Sequence, residues 1–177
     1  MSVSAGVLSD STPILVGAGQ VVEREANDIS PMALASQAAV NAIKDCEATG
    51  SAAVIAEAID TICVTKLFSD MGRLWAGKCG RSDNPPESIA TCIGASPDHR
   101  IYTETGGNQP QSRLIEFAHA IARGERSVVL IAGAEAIKNQ RHAERNKREL
   151  DWSEQFEEVL EDRGFGESSA TSQEIKN

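Results

Sequence analysis

The chain has 177 residues, 41% of them hydrophobic and 24% charged, which is enough for one domain with a hydrophobic core of its own. Its formal net charge of −9 argues against nucleic acid or an anionic membrane surface as a general partner. The sequence has no charged-then-apolar leader and no run of about 18 apolar residues, so we expect a cytoplasmic protein.

The four cysteines, Cys46, Cys63, Cys79 and Cys92, are far apart in the sequence. They form no CxxC pair and have no histidine at metal-ligand spacing, so we expect no metal site. Reduced thiols are the favoured interpretation, and Cys63, inside an apolar run, is expected to be a small core residue.

Small and polar residues at positions 1–11 predict a flexible N-terminal arm. Residues 14–16 (ILV) then predict a short strand that runs into a glycine turn at Gly17 and Gly19. The turn lacks the third glycine of a dinucleotide-binding fingerprint. We therefore favour a turn at which the backbone passes close to a neighbouring element.

Ser30 and Pro31 form a helix start, because serine caps free amides and proline tolerates the first helical position. The predicted helix ends near residue 45, and residues 52–58 lead into a second strand at 59–65. The side of this helix expected to face the sheet is small: Leu34, Ala35, Ala38, Ala42 and Ile43.

Residues 66–98 are the least regular part of the chain, because glycine and proline interrupt them repeatedly. We expect one short helix at residues 86–94, with Asn84 or Pro85 near its start. Trp75 is expected to anchor this segment on the body of the domain.

The most informative stretch is residues 101–135, which reads as strand, glycine turn, helix and strand. The strand covers residues 101–105, the turn 106–108, and the helix 111–123, where Gly124 stops it. Residues 127–132 (SVVLIA) follow as a continuous apolar run, which predicts a parallel strand buried on both faces.

The helix of this stretch has more apolar surface than one sheet contact requires. Phe117 and Ala120 lie outside the stripe expected to face the sheet, so little of the helix is left for water. We therefore expect a cover on its second side, supplied by a later part of a longer chain or by a partner subunit.

Residues 138–161 are rich in charge, and residues 166–177 are polar without a core signal. No strand that closes the sheet is expected in this part of the chain. The following basic residues form a positive cluster: Arg141, His142, Arg145, Lys147 and Arg148. Arg141, Arg145 and Lys147 are candidate contacts for an anionic ligand, while a solvated helix face paired with nearby acids is the favoured alternative.

The order of these pieces resembles the N-terminal half of the thiolase superfamily, with the greatest similarity to thiolase-like proteins labelled acetyl-CoA acetyltransferases. The shared pieces are VGAGQ, the helix at Ser30 and Pro31, VTK, and TETGGNQPQSRLIEFAHAIARGERSVVLIAGAEA at residues 103–136. The resemblance implies an α/β layered fold, in which the N-terminal βαβαβ half has a mostly parallel sheet and is incomplete. Residues 12–136 would form this half, and residues 137–177 the partly disordered start of a loop domain.

The resemblance also implies a departure in chemistry. Active thiolases carry a nucleophilic cysteine at the turn before the third helix, and Gly107 stands at that place. The chain is therefore expected to be inactive alone. The turn of Gly106, Gly107 and Asn108 remains a candidate oxyanion or carbonyl-binding site, unless the glycines only permit the turn and Asn108 only caps the helix.

Three functions stay open at this point. The chain is the first portion of a thiolase-like acyl-CoA acyltransferase-type protein, or of a carbon–carbon lyase acting on acyl-CoA with a partner chain. Alternatively, it is a non-catalytic coenzyme A-binding or assembly module. An unrelated doubly wound nucleotide-binding domain is disfavoured by the missing phosphate fingerprint. The expected ligand is a coenzyme A thioester with no covalent cofactor, and the expected partner is a second copy or a missing C-terminal half.

Overall fold

A computed structural model describes residue 9 and residues 11–46, 52–71 and 77–164. Trp75, residues 166–177 and most of the expected N-terminal arm lie outside the described residues. Among the helices that are described, none is long and apolar enough to cross a membrane.

The centre of the fold is a parallel sheet. Its strands in the described residues are β1 (Thr61–Val64), β2 (His99–Tyr102), β3 (Val129–Ala132) and β4 (Glu161–Asp162). The strand order is β3-β1-β2-β4, and every pairing is parallel. Cys63 in the middle of β1 lies opposite Ile101 on one side and Ile131 on the other. The α/β fold with a parallel sheet is thus as the sequence predicts.

Helices cover both faces of this sheet. They are α1 (Pro31–Asp45), α2 (Ala52–Ala58), α3 (Pro85–Ile93), α4 (Gln109–Ala122) and α5 (Ile137–Arg145). The larger core joins α1 and α3 to Ile62 and Val64 of β1. Cys63, Ile101 and Phe117 form the smaller core on the opposite face, beneath α4. Alternate side chains of β1 therefore pack into two separate cores, one on each face of the sheet.

The predicted helix starts are confirmed in detail. The hydroxyl oxygen of Ser30 accepts a hydrogen bond from the Ala33 amide at 3.0 Å, and Pro31 is the first helical residue of α1. Asn84 caps α3 by accepting from the Glu87 amide at 3.3 Å. Gly94 then ends α3 with a positive φ of 72°, a conformation that glycine adopts without strain.

The predicted strand at residues 14–16 is wrong in this structure. Its three side chains are largely exposed, and the segment pairs with no strand of the described chain. Local sequence favours an extended conformation here, but a strand also needs a hydrogen-bonding neighbour, which sequence periodicity does not supply.

The prediction that the strand at residues 127–132 is buried on both faces is also wrong. Every residue of β3 is only partly buried, because β3 lies at the edge of the sheet. The fully buried strand is β1, which lies between β2 and β3. An apolar run indicates helices on both faces of a strand, but it does not indicate a neighbour at each edge.

A strand follows α5, although none was expected. Two acidic residues form β4, and they pair with Ile101 and Tyr102 of β2. The amide of Arg163 donates to the Tyr102 carbonyl at 2.8 Å and extends this pairing. Hydrophobic periodicity does not detect such a strand, because backbone hydrogen bonds and charges hold it rather than apolar side chains.

One side of α4 packs on the sheet, and the other is exposed. The predicted orientation of this helix is wrong, because Phe117, which was placed outside the sheet-facing stripe, is 4% exposed against Cys63 and Ile101. Leu114 and Ile115 are instead 47% and 49% exposed. The cover expected on the second side therefore stays a prediction. The apolar residues that would contact it are in place.

Replacing Asn84 with alanine should cost more stability than the equivalent change at Ser30. Asn84 is 2% exposed, and its amide nitrogen also donates to the Glu158 carbonyl at 3.0 Å. Losing an exposed cap costs about 1 kcal/mol, and losing a second side-chain hydrogen bond adds about 0.5–1.5 kcal/mol. Urea unfolding of Asn84→Ala and Ser30→Ala measures this difference. Equal midpoints would show that the Glu158 contact contributes nothing.

Candidate functional site

The turn between β2 and α4 carries the candidate carbonyl-binding residues. The Gly106 carbonyl accepts from the Gln109 amide at 3.0 Å, which closes the turn. The Asn108 side chain accepts no hydrogen bond from the helix and instead donates to the Ser112 hydroxyl at 3.4 Å. The Asn108 side chain therefore does not cap α4, which was the alternative to a role in ligand binding.

Two exposed backbone amides are available at this turn. Within the described residues, the N–H groups of Gly107 and Asn108 donate to no protein acceptor. The next amide, of Gln109, is used within the turn, and Pro110 has none. Because the N-terminus of a helix carries a partial positive charge, two free amides at this place suit a carbonyl oxygen or an anion.

Below the turn lie two polar atoms whose hydrogen bonds are incomplete. Gln109 is 9% exposed, and its side-chain oxygen has no partner in the described part of the chain. The Nε of Arg113 is also buried and without a hydrogen-bond acceptor there. Since buried polar groups are normally satisfied, a water or ligand atom is expected beside each.

The arginines nearest the turn are engaged by glutamates. Arg113 pairs with Glu116 at 2.6 Å and lies 3.8 Å from Glu104. Arg163 pairs with Glu116 at 2.7 Å and with Glu161 at the same distance. This ionic network attaches α4 to β4. The attraction of the turn for negative charge therefore comes from its amides rather than from an unpaired cation.

No cysteine lies at the turn, and the two buried thiols are held in the protonated form. Burial raises the pKa of the Cys63 thiol to about 12, and burial also raises the pKa of Cys79. The Cys46 thiol donates to the Ala42 carbonyl at 3.3 Å, and Cys92 is exposed on α3. A nucleophilic cysteine needs a lowered pKa, so Cys63 and Cys79 lack the property that such chemistry requires.

The basic cluster lies on and beyond α5. Arg141, Arg145 and Lys147 are exposed, and the Nε of Arg145 donates to the Arg141 carbonyl at 3.2 Å. Arg148 forms an ion pair with Asp28, as expected for a solvated basic face. In the described structure, the three candidate anion contacts do not line the cavity discussed below. Their role as anion contacts stays a prediction.

Comparison with known proteins finds a likeness among solved structures. No protein-family model matches the sequence, and no curated protein matches it. Among solved structures, the chain is similar to a monomeric SCP2-thiolase like protein type 1 from Mycobacterium smegmatis, with 40% sequence identity and a TM-score of 0.56. The match covers 70% of this chain and 23% of that one. The fold is thiolase-like.

This likeness supports the expected superfamily but not the acetyl-CoA acetyltransferase label. The chain spans about a quarter of the length of the mycobacterial protein. Within the thiolase-like fold, the parallel sheet and α4 present the turn at Gly107 in the order the sequence predicts.

The structure also has a cavity, lined by apolar and polar residues, that was not predicted from the sequence. Its volume is about 330 Å³, and it lies beyond the carboxyl ends of β1 and β3, beside the start of α1. The buried Tyr102 hydroxyl donates to Asp70 at 2.6 Å and accepts from the Leu67 amide at 2.9 Å. Burial and then Asp70 raise the pKa of Tyr102, so the phenol remains a proton donor.

Glu135 faces the same cavity. Burial raises the pKa of its carboxyl group, the bond from the Phe68 amide opposes this, and Asp70 adds to the increase. Asp70 also lies 3.6 Å from Arg81. The sequence did contain a signal for this cavity. Asp70 and Glu135 each come shortly after a strand, and the carboxyl ends of parallel strands lie at the same edge of a sheet.

Introducing a thiol with Gly107→Cys should leave the fold intact. A side-chain Cβ built at Gly107 meets no atom within 4 Å, so we expect a stability change within about 0.5 kcal/mol. The new thiol should react rapidly with a thiol reagent in the folded protein, with a pKa below the ordinary value of about 8.5. The pH dependence of modification, compared with the wild type, measures this. A thiol that reacts only after unfolding would show that the turn is closed.

Replacing Glu135 with glutamine should stabilise the protein at neutral pH. A carboxyl group with a raised folded-state pKa contributes stability below its unfolded pKa of about 4.3 and loses it as the pH rises through the folded value. The gain should stay below about 1 kcal/mol, because water screens this partly exposed group.

Urea unfolding of both proteins at pH 7 and near pH 4 gives the comparison. The advantage of Glu135→Gln should shrink at the lower pH. An advantage that grows on acidification would contradict the sign of this pKa shift.

Proposed function

We propose that this chain is the N-terminal portion of a thiolase-like protein that binds an acyl thioester of coenzyme A without forming an acyl-cysteine. The observation that carries the proposal is Gly107, which stands where the resemblance to thiolases places the nucleophile. The thioester carbonyl would accept hydrogen bonds from the free amides of Gly107 and Asn108. Exposure of both residues leaves room for the ligand to approach.

The charge distribution supports this binding mode. The amides of Gly107 and Asn108 lie at the N-terminus of α4, a 14-residue helix whose dipole adds positive potential there. Arg113 and Arg163 are already paired with glutamates. For the phosphate end of coenzyme A we propose Arg141, Arg145 and Lys147, whose exposed cations suit a multiply charged anion.

An enzymatic role would need groups from elsewhere. Acyl transfer, or carbon–carbon cleavage of an acyl-CoA, requires a nucleophile or base, and the buried thiols of Cys63 and Cys79 do not serve. Such groups would come from a partner chain or from a further part of the protein. The same partner, or a second copy, would cover Leu114 and Ile115. We propose that the protein acts in the cytoplasm.

Calorimetric titration with acetyl-CoA tests the proposal through Asn108→Asp. A carboxylate at this position repels a carbonyl oxygen yet suits a helix N-terminus, so affinity should fall about tenfold while stability is kept. Gln37→Glu, which adds the same charge at an exposed site on α1, should bind as the wild type does.

We also expect the purified chain to show no thiolysis of acetoacetyl-CoA. Equal affinities of Asn108→Asp and the wild type would place the ligand away from the turn. Thiolysis that persists after all four cysteines are replaced by serine would show that the chemistry lies elsewhere in the chain.

A further inference from the structure

Buried polar atoms without hydrogen-bond partners collect at the turn between β2 and α4. Within the described residues, four buried side-chain atoms lack a partner, and three of them lie here: Oε2 of Glu104, Oε1 of Gln109 and Nε of Arg113. The fourth belongs to Glu154, which pairs with Ser82 in another part of the fold. Because buried polar groups are normally satisfied, three such atoms at one turn indicate a site for a further polar group.

The Gln109 side chain folds back over the turn. Gln109 is the first residue of α4 and is only 9% exposed, and its backbone amide is held by the Gly106 carbonyl at 3.0 Å. A Cβ built at Gly106 would lie 3.7 Å from both Cγ and Nε2 of Gln109. The unpaired oxygen belongs to the same terminal amide group as Nε2. It therefore lies at the turn, one residue beyond the free amide of Asn108.

The two glycines of the turn keep side chains away from this oxygen. A Cβ at Gly106 would lie 2.7 Å from the side-chain oxygen of Asn108, closer than a non-bonded contact allows. A Cβ at Gly107 would meet no atom within 4 Å, so the turn is open there. The space between the free backbone amides and the Gln109 side chain therefore holds no side chain of the turn itself.

Arg113 and Glu104 carry the other two unpaired atoms. Residues 109 and 113 are four positions apart on α4, so their side chains lie on one face of the helix. A hydrogen bond of 2.6 Å from Nη1 of Arg113 to Glu116 fixes the guanidinium group. Glu104 Oε2 lies 3.8 Å from Nη2 of Arg113, which is too long for a direct hydrogen bond. A polar contact of this length suits a bridging group.

The three atoms together require a group that both donates and accepts hydrogen bonds. The oxygens of Gln109 and Glu104 are acceptors, and Nε of Arg113 is a donor. A hydroxyl group donates one hydrogen bond and accepts others, so it pairs with one of the oxygens and with the guanidinium at once. A carboxylate has no proton to donate and is repelled by Glu104, and a methyl group leaves all three atoms unpaired.

We propose that this site binds a hydroxyl group on the acyl chain of the ligand, so that the chain selects hydroxyacyl thioesters of coenzyme A. The inference rests on the proposed function, in which the amides of Gly107 and Asn108 hold the thioester carbonyl. Gln109 directly follows those amides in the chain. A hydroxyl group on C2 or C3 of the acyl chain is correspondingly close to the carbonyl group. One short ligand therefore reaches both sets of protein groups.

Calorimetric titration of the chain with butyryl-CoA, 2-hydroxybutyryl-CoA and 3-hydroxybutyryl-CoA tests the proposal. The three ligands have the same carbon chain and differ only in the hydroxyl group. We expect at least one hydroxylated thioester to bind about tenfold more tightly than butyryl-CoA, because the ligand without a hydroxyl leaves the buried groups unpaired.

Gln109→Met removes the acceptor and keeps the length of the side chain. The ratio of the affinities for the hydroxylated and plain thioesters should fall to about one in this variant. Gln111→Met makes the same change at an exposed position in the first turn of α4, and it should keep the wild-type ratio. Because the ratio is taken within each variant, a uniform loss of affinity does not affect it.

Three results would overturn the hydroxyl site. In the first, the wild type binds all three thioesters with equal affinity, so that thioester binding stands and the buried atoms bind only water. In the second, Gln109→Met keeps the wild-type preference, which places the hydroxyl group elsewhere. In the third, none of the thioesters binds, and the proposed function fails as well. The wild-type titration decides the first and third results even if a variant fails to fold.

Discussion

The whole molecule depends on the complete burial of β1. All four of its residues lack solvent contact, and both of its edges are hydrogen bonded, to β2 and to β3. Its side chains alternate between the core under α1 and α3 and the smaller core under α4. A strand in this position must be apolar or satisfied locally, and the Thr61 hydroxyl meets that demand by donating to Asp60 at 2.6 Å.

The position of β1 determines what its neighbours present at the carboxyl edge of the sheet. The turn after β2 carries free amides at Gly107 and Asn108, and the segments after β1 and β3 bring Asp70 and Glu135 to one cavity. In this thiolase-like fold the turn offers hydrogen-bond donors without a thiol. The proposed binding of a carbonyl group uses only these donors, whereas covalent chemistry would need a nucleophile as well.

The two edges of the sheet are protected by different means. The acidic strand β4 closes the edge at β2, and Arg163 next to it joins Glu116 of α4 in an ionic network. Such charges discourage pairing with another chain. The edge at β3 is apolar and open, with an uncovered apolar segment beside it. An edge of this kind is open to pairing with a further strand.

The sequence by itself determined helices α1, α3 and α4, the core position of Cys63, the caps at Ser30 and Asn84, and the absence of a thiol at Gly107. These features follow from local patterns, because capping, periodicity and residue identity act over a few neighbouring positions. The mostly parallel α/β class and the resemblance to thiolases followed from the order of those pieces.

Only the tertiary structure decided which strand is central, which edge stays open, and that Glu161 and Asp162 pair with β2. It also decided that Asp70 and Glu135 line one cavity, and that the Tyr102 hydroxyl donates to Asp70. These outcomes depend on contacts between residues far apart in the chain, and a local apolar or charged pattern is compatible with several such partners.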